Sequence, residues 1–420
     1  MRPRARHRDG GDSHIGKARA TVFRWGVFLA AALLVIDDGL ALFALALGVA
    51  SLLSWPRRPR ERPRHMPSLR AIAIALGIVA VAAGSSVIVH RVPLSALDNP
   101  ARLLLIPWCA ALAWSTGLRR DVLWWGAVAG VLIAFGIACG QMAGGALRAG
   151  SDANPIVFAT LVLILTAIVM FASPNPRSRG RGWSTPALFL LGGLTLTMSG
   201  SRGALAGWLL LGVFAIIRAW RQSDPADTTH RFALPLAGVI LLGLLQVPQL
   251  HAPLRLADVS SNLSRYAQGD PDTPIGARLA LLSLAGRVFA EHPWAGVGME
   301  RFGGEIARLP GCGGARPMGL CTLRHAHNDL AEWAVTLGLP GLLAIVAIYG
   351  VPFSMFVRII RTHGGQRNAA AWTGVMVVAV YVVGGLTQSM FAHAATASAY
   401  GIFVGSLLGI AWREAETDMV

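Results

Sequence analysis

Apolar runs recur along nearly the whole chain, at about 21–36, 39–55, 69–89, 102–116, 122–143, 155–173, 186–199, 203–219, 231–248, 329–356, 369–386 and 393–412. Crossing the hydrocarbon core of a bilayer as a helix takes about 20 residues, and several of these runs are shorter. In lipid every backbone polar group must be satisfied within the segment, so such runs read as helices. The pattern predicts an all-α polytopic membrane protein of about twelve transmembrane helices. The connections are short, except for a hydrophilic segment at 249–328 that contains helix signals of its own. Connections that long are either functional or disordered, and the order signals favour function. The expected organisation is a basic tail at 1–20, helices 1–9 within 21–248, one large, partly helical loop at 249–328, helices 10–12 within 329–412, and a short tail at 413–420. No internal repeat supports an inverted-repeat transporter.

The chain is 54% hydrophobic and 14% charged, with a formal net charge of +16. That excess would suit nucleic acid if the cations lined one face. Instead they sit in short loops between apolar runs, as an orientation signal does, which excludes nucleic acid and points to membrane lipids. With the N-terminus inside, the inner loops carry Arg57, Arg58, Arg60, Arg62 and Arg64, then Arg119 and Arg120, Arg177, Arg179 and Arg181, Arg218 and Arg221, and Arg358, Arg361 and Arg367. The short outer loops carry Arg91, Arg148 and Arg202. This alternation puts both termini in the cytoplasm and the 249–328 loop on the outer side. The first run lacks a small-residue cleavage site and reads as a retained span.

Four cysteines divide by location. Cys109 and Cys139 lie in apolar runs and read as small core residues. Cys312 and Cys321 lie in the outer loop, where an oxidising periplasm would join them in a disulfide; the alternative is two unpaired thiols.

Three outer-side positions are candidates for chemistry. Arg202 lies in M-S-G-S-R-G-A-L, where Gly200, Ser201 and Gly203 permit a tight turn before the next helix. The positive helix end and the guanidinium would then face one anion; the alternative is an arginine reaching to lipid phosphate. Arg278 lies in a helix that Thr273-Pro274 should start and Pro293 should stop. At about 100° per residue it falls within roughly 40° of Leu282, Ala285 and Phe289, in the middle of the apolar face, with Arg287 on the polar face. A cation there needs a partner, either a lipid-linked phosphate or an internal carboxylate. His327 follows His325 and opens an apolar run at a helix start that Asn328 or Asp329 can cap. The helix N-terminus would hold its pKa down and keep it a neutral base, although a single interfacial histidine is more often structural. The interruption Gly338-Leu339-Pro340-Gly341 should be buried in protein or line a cavity. The Asp270-Pro271-Asp272 spacing reads as a turn. No His/Cys spacing suggests a metal and no phosphate-binding loop is present, so neither metal nor cofactor is expected.

Together these residues resemble the bacterial O-antigen ligases within the O-antigen ligase/polymerase superfamily. His327-Asn328, nine residues, then Gly338-Leu339-Pro340-Gly341 matches the family's histidine motif. The run at 199–204 resembles its first essential arginine. Arg278 with H-P-W-A-G-V-G-M-E-R-F at 292–302 resembles its second, and L-D-N-P-A-R at 97–102, with Arg102, is also similar. The resemblance implies a GT-C-like architecture in the bacterial inner membrane. It implies transfer of a glycan from undecaprenyl pyrophosphate to lipid A–core on the periplasmic face, without a metal and with inversion. His327 would be the base, Arg202 and Arg278 would hold the pyrophosphate, and His325, Asn328, Ser201 and Arg102 would contact substrate. Polymerases and protein O-oligosaccharyltransferases are similar and use the same donor. A lipid-linked glycan flippase would need charged residues along a path through the bilayer, and the apolar runs hold almost none.

Overall fold

The computed structural model describes residues 9–53, 69–150, 154–174, 184–221, 238, 258–313, 318–362 and 368–417. Apart from residue 238, the run expected at 231–248 lies outside the described residues, as do the basic clusters at 57–64 and 177–181 and Arg367. Among the described residues the fold is all-helical and has no strand. The helices are α1 (Asp9–Ala32), α2 (Ala41–Leu52), α3 (Arg70–His90), the short α4 (Asp98–Ala101), α5 (Leu105–Thr116), α6 (Arg120–Ala143), α7 (Pro155–Phe171), α8 (Ser184–Ser199) and α9 (Arg202–Arg221). They continue as α10 (Asp258–Ala267), α11 (Pro274–Glu291), the one-turn α12 (Phe302–Ala307), α13 (Asp329–Thr362), α14 (Ala369–Gly385) and α15 (Ala394–Thr417).

Every apolar run within the described residues forms a helix. Four of these helices, α3, α6, α13 and α15, are long and apolar enough to cross a membrane. Helices α2, α7, α8 and α14 are apolar but shorter. Helix α7 is hydrophobic all round and buried over almost its whole length, as expected of a helix at the centre of a bundle. Helix α3 lies at the rim, and its outward residues Ile74, Val81 and Ile88 are 65%, 69% and 79% exposed. Apolar side chains pointing away from the protein suit lipid, not water.

Close helix approach depends on small residues, since lipid offers no hydrophobic drive for helices to associate. On α15, Gly401, Gly405 and Gly409 recur every four residues against α5 and the turn that leads into it. A Cβ there would come within 2.8 Å of the Arg102 carbonyl oxygen, 2.4 Å of that of Ile106 and 2.5 Å of that of Ala110, respectively.

The two ends of the bundle differ. At one end, Arg120 pairs with Glu414 at 2.9 Å, Arg413 donates to the Trp114 carbonyl at 2.9 Å, and Arg19 reaches the Ser115 carbonyl at 3.4 Å. The first and last helices therefore both reach this end. At the other end the 258–328 segment packs around a small core of its own that includes Leu281, Phe302, Ile306, Ala326 and Val335. Cys312 and Cys321 are disulfide-bonded there, with a Cα–Cα separation of 5.6 Å.

The 293–298 segment explains how α13 tolerates its break. Gly338 has φ 69° and ψ −156°, which interrupts the helix. Val297 and Gly298 donate to the Val335 and Thr336 carbonyls at 2.9 and 3.0 Å, and Leu339 donates to the Pro293 carbonyl at 2.7 Å. Backbone groups near the kink are thus satisfied by protein, as burial requires.

Candidate active site

The first turn of α9 carries Arg202. Gly200 turns the chain at φ 68°, and Ser201, 5% exposed, caps the helix by accepting from the Ala204 amide at 3.5 Å. Ser201 therefore serves the helix end. A Cβ on Gly203 would lie 2.5 Å from Thr387 Oγ1, so the turn abuts the 386–393 connection between α14 and α15. The loop after α6 folds over the same turn, where Arg148 Nε donates to the Ser199 carbonyl at 2.8 Å.

Thr273 caps α11, its Oγ1 accepting from the Gly276 amide at 3.0 Å, as the Thr-Pro signal led us to expect. The buried face of α11 runs through Ala277, Leu281, Leu284, Ala285 and Val288. Leu282 is 38% exposed, so Arg278 sits on the shoulder of this face and not in its middle. The cause is tertiary: the helix turns its Leu281–Leu284 side towards Phe302, Ile306 and Val335. Burial lowers the Arg278 pKa, and the nearby Arg202 and Arg148 lower it further. Three guanidinium groups thus converge, an arrangement that favours an anion between them.

His327 adopts φ 51°, a left-handed conformation that non-glycine residues rarely hold without support. Asn328 provides the support. Its Oδ1 caps α13 at the Ala331 amide, 3.0 Å away, and its Nδ2 donates to the Leu386 carbonyl at 3.2 Å. Asn328 is thus committed to structure. Asp329, the other candidate cap, is instead 1% exposed and accepts from the Tyr349 hydroxyl at 2.6 Å.

The His327 ring lies against Gln388, with a short Nδ1–Oε1 hydrogen bond. Gln388, 2% exposed, donates its Nε2 to His393 Nε2 at 3.1 Å, which orients the amide oxygen towards His327. His327 Nδ1 then carries the proton, and Nε2 keeps its lone pair. Burial is the main cause that pushes the His327 pKa below its ordinary value; the Gln388 bond opposes this and Arg278 adds to it. The direction is the one expected from the sequence, but burial is the principal cause. His325 behaves oppositely. Its bond to Glu332, 3.1 Å from Nδ1, raises its pKa. Glu332 also accepts from the Ala326 amide at 2.6 Å, fixing the approach to His327.

Arg102 makes an ion pair with Asp98 at 2.7 Å and donates to Ser398 Oγ at 3.0 Å. Neighbouring Asn99 donates to the Ala392 carbonyl at 2.9 Å. The 97–102 run therefore clamps the segment that carries Gln388 and His393. Asp270 and Asp272 form a turn: Asp270 pairs with Arg265 at 2.5 Å and accepts from the Asp272 amide at 2.9 Å. Among the described residues, no three His, Cys, Asp or Glu side chains are disposed to hold a metal ion.

Residues 187–346 match a family model described as O-antigen ligase. Over that stretch the chain is similar to the O-antigen ligases. The matched stretch holds Arg202, Arg278 and His327 together. An uncharacterised protein of Haemophilus influenzae is 23% identical over 315 residues, covering 73% of this chain and 78% of the relative. The site residues that the sequence did not single out are Gln388, His393 and Glu332, together with the role of Arg148. Polar Thr387, Gln388, Ser389 and His393 crowd one short connection between apolar runs, and that was the available signal.

Proposed function

We propose that this membrane protein is an O-antigen ligase of the bacterial inner membrane. It would move a glycan from undecaprenyl pyrophosphate to a sugar hydroxyl of lipid A–core on the periplasmic face, with both termini cytoplasmic and twelve spans in all. One observation carries this reading. His327 holds its proton on Nδ1 against Gln388 and leaves Nε2 as a base near Arg278, itself close to Arg202 and Arg148.

The chemistry follows from that arrangement. Nε2 accepts the proton of the attacking hydroxyl as its oxygen forms a bond to the anomeric carbon. The bond from that carbon to the pyrophosphate oxygen breaks, and the electron pair leaves on pyrophosphate. Arg202 and Arg278 stabilise the charge that develops there. A single displacement inverts the anomeric centre. The lowered His327 pKa keeps the base unprotonated near neutral pH, whereas the hydrogen bond of His325 to Glu332 raises the His325 pKa and serves to hold the approach.

The test offers purified protein, with donor and EDTA, three acceptors in parallel: lipid A–core, a growing glycan and a Ser/Thr peptide. A new lipopolysaccharide band with lipid A–core alone supports the ligase. Extension of the glycan or modification of the peptide, with lipid A–core untouched, would refute it.

A further inference from the structure

Next to Arg202, on the side of the 258–274 segment, lies a cavity of about 330 Å³. It is lined by Arg202, Asp258, Ser261, Asn262, Arg265 and Asp272, among others. That volume falls at the lower bound of small-ligand pockets, about 300–1,000 Å³, but such pockets are mostly apolar and this one is polar.

Asp258, Ser261, Asn262 and Arg265, spaced i, i+3, i+4 and i+7, put a polar stripe on the cavity, while Val259 and Leu263 are 39% and 54% exposed. Asp258, Ser261 and Arg265 are exposed at the rim of the cavity, and Asn262 alone of the four is buried. It is 7% exposed, lines the cavity, and its carboxamide makes no hydrogen bond to any described residue. An amide that faces a cavity without a protein partner is open to a polar ligand. The other lining groups are held in place: Asp272 Oδ1 accepts from the Gly319 amide at 2.8 Å, and Arg265 is fixed by Asp270.

We infer that this cavity is a saccharide subsite that receives the pyranose joined to the donor's pyrophosphate. The chemistry matches a polyhydroxylated ring. Each sugar hydroxyl both donates and accepts, and the wall offers carboxylate acceptors, guanidinium donors, and an amide and a hydroxyl that do both. Arg202 is shared between the cavity and the arginine cluster, so a phosphate on Arg202 places its attached sugar one bond away, at the cavity mouth. Asn262 is the residue that reads the ring. This inference rests on the donor proposed above.

The test is equilibrium binding by the full-length protein in detergent, with no acceptor present. The probes are undecaprenyl pyrophosphate alone and the same lipid bearing one hexose. Wild type should bind the hexose-bearing lipid about tenfold more tightly or better. Asn262→Leu should abolish that preference and keep the affinity for the bare lipid, since one buried hydrogen bond is worth about this much. Asp258→Asn, on the exposed rim of the stripe, should narrow the preference in the same direction and serves if the leucine variant does not fold. Equal affinity of wild type for both lipids would overturn the inference. So would variants that keep the preference. A sugar preference without transfer to lipid A–core would instead count against the ligase reading and leave the subsite standing.

Discussion

His327 and Gln388, 61 positions apart in the chain, are joined by a hydrogen bond from the imidazole Nδ1–H to the amide Oε1. Gln388 is held in turn by its bond to His393, so the base is oriented by a relay of two residues from the connection between α14 and α15. Such supporting partners set which nitrogen of an imidazole is free to act.

The relay predicts a pH signature. Because burial lowers the His327 pKa, kcat/KM should fall on the acid side only below the ordinary histidine value of 6.5. Gln388→Glu puts a carboxylate against the ring and favours the imidazolium. The acid limb should then move up by about one unit or more. Gln388→Leu should cost about 10- to 100-fold in rate, the usual effect of losing an orienting partner. A pH profile unmoved by Gln388→Glu would dissociate the amide from the base.

The arginines should not tolerate lysine. A guanidinium presents a planar fork to two phosphate oxygens at once, and an ammonium cannot. Arg202→Lys and Arg278→Lys should each lower kcat by about 10²-fold, the range for loss of one donor to developing charge. Steady-state transfer assays read this directly, and full activity in Arg202→Lys would remove that residue from the pyrophosphate.

The His325–Glu332 pair should show in stability, not in the acid limb. Its folded-state pKa is raised, so the stabilisation is complete below the unfolded value near 6.5 and is lost as pH rises through the folded value. The Tm difference between wild type and His325→Gln in detergent should therefore be larger at pH 6 than at pH 9. A difference that grows with pH would contradict the pairing.

Gly338 carries the break in α13, and alanine there meets two obstacles. Its φ of 69° with ψ −156° is a region that only glycine enters cheaply, and a Cβ would sit 2.6 Å from the Trp294 backbone. Gly338→Ala should cost about 1–3 kcal/mol or more and lower Tm. Gly350→Ala, in the same helix with nothing within 4 Å of its Cβ, should be close to neutral. Equal melting of the two variants would show that the 293–298 segment does not hold the kink.

Much of this was legible in the sequence because membrane helices declare themselves locally. Apolar runs gave the helices, Gly200 and Gly338 marked the turn and the break, and Thr273-Pro274 marked the start of α11. The site was legible only where residues sit at element ends, as Arg202 and His327 do. Gln388, His393 and Arg148 were not, because their meaning comes from contacts across the bundle that no local spacing encodes. Arg278 was placed too centrally because periodicity gives the face of a helix, while its packing partners decide which part of that face turns inward. Asn328 and Arg102 also have structural bonds that the sequence did not signal, Asn328 capping α13 and Arg102 reaching Ser398.

The most direct test of the account is single-turnover transfer by the purified protein, with undecaprenyl-pyrophosphate glycan, lipid A–core and EDTA, comparing wild type with His327→Ala. The account predicts a lipopolysaccharide ladder with wild type and none with His327→Ala, while the variant still binds the donor. A ladder from His327→Ala at the wild-type rate would contradict it.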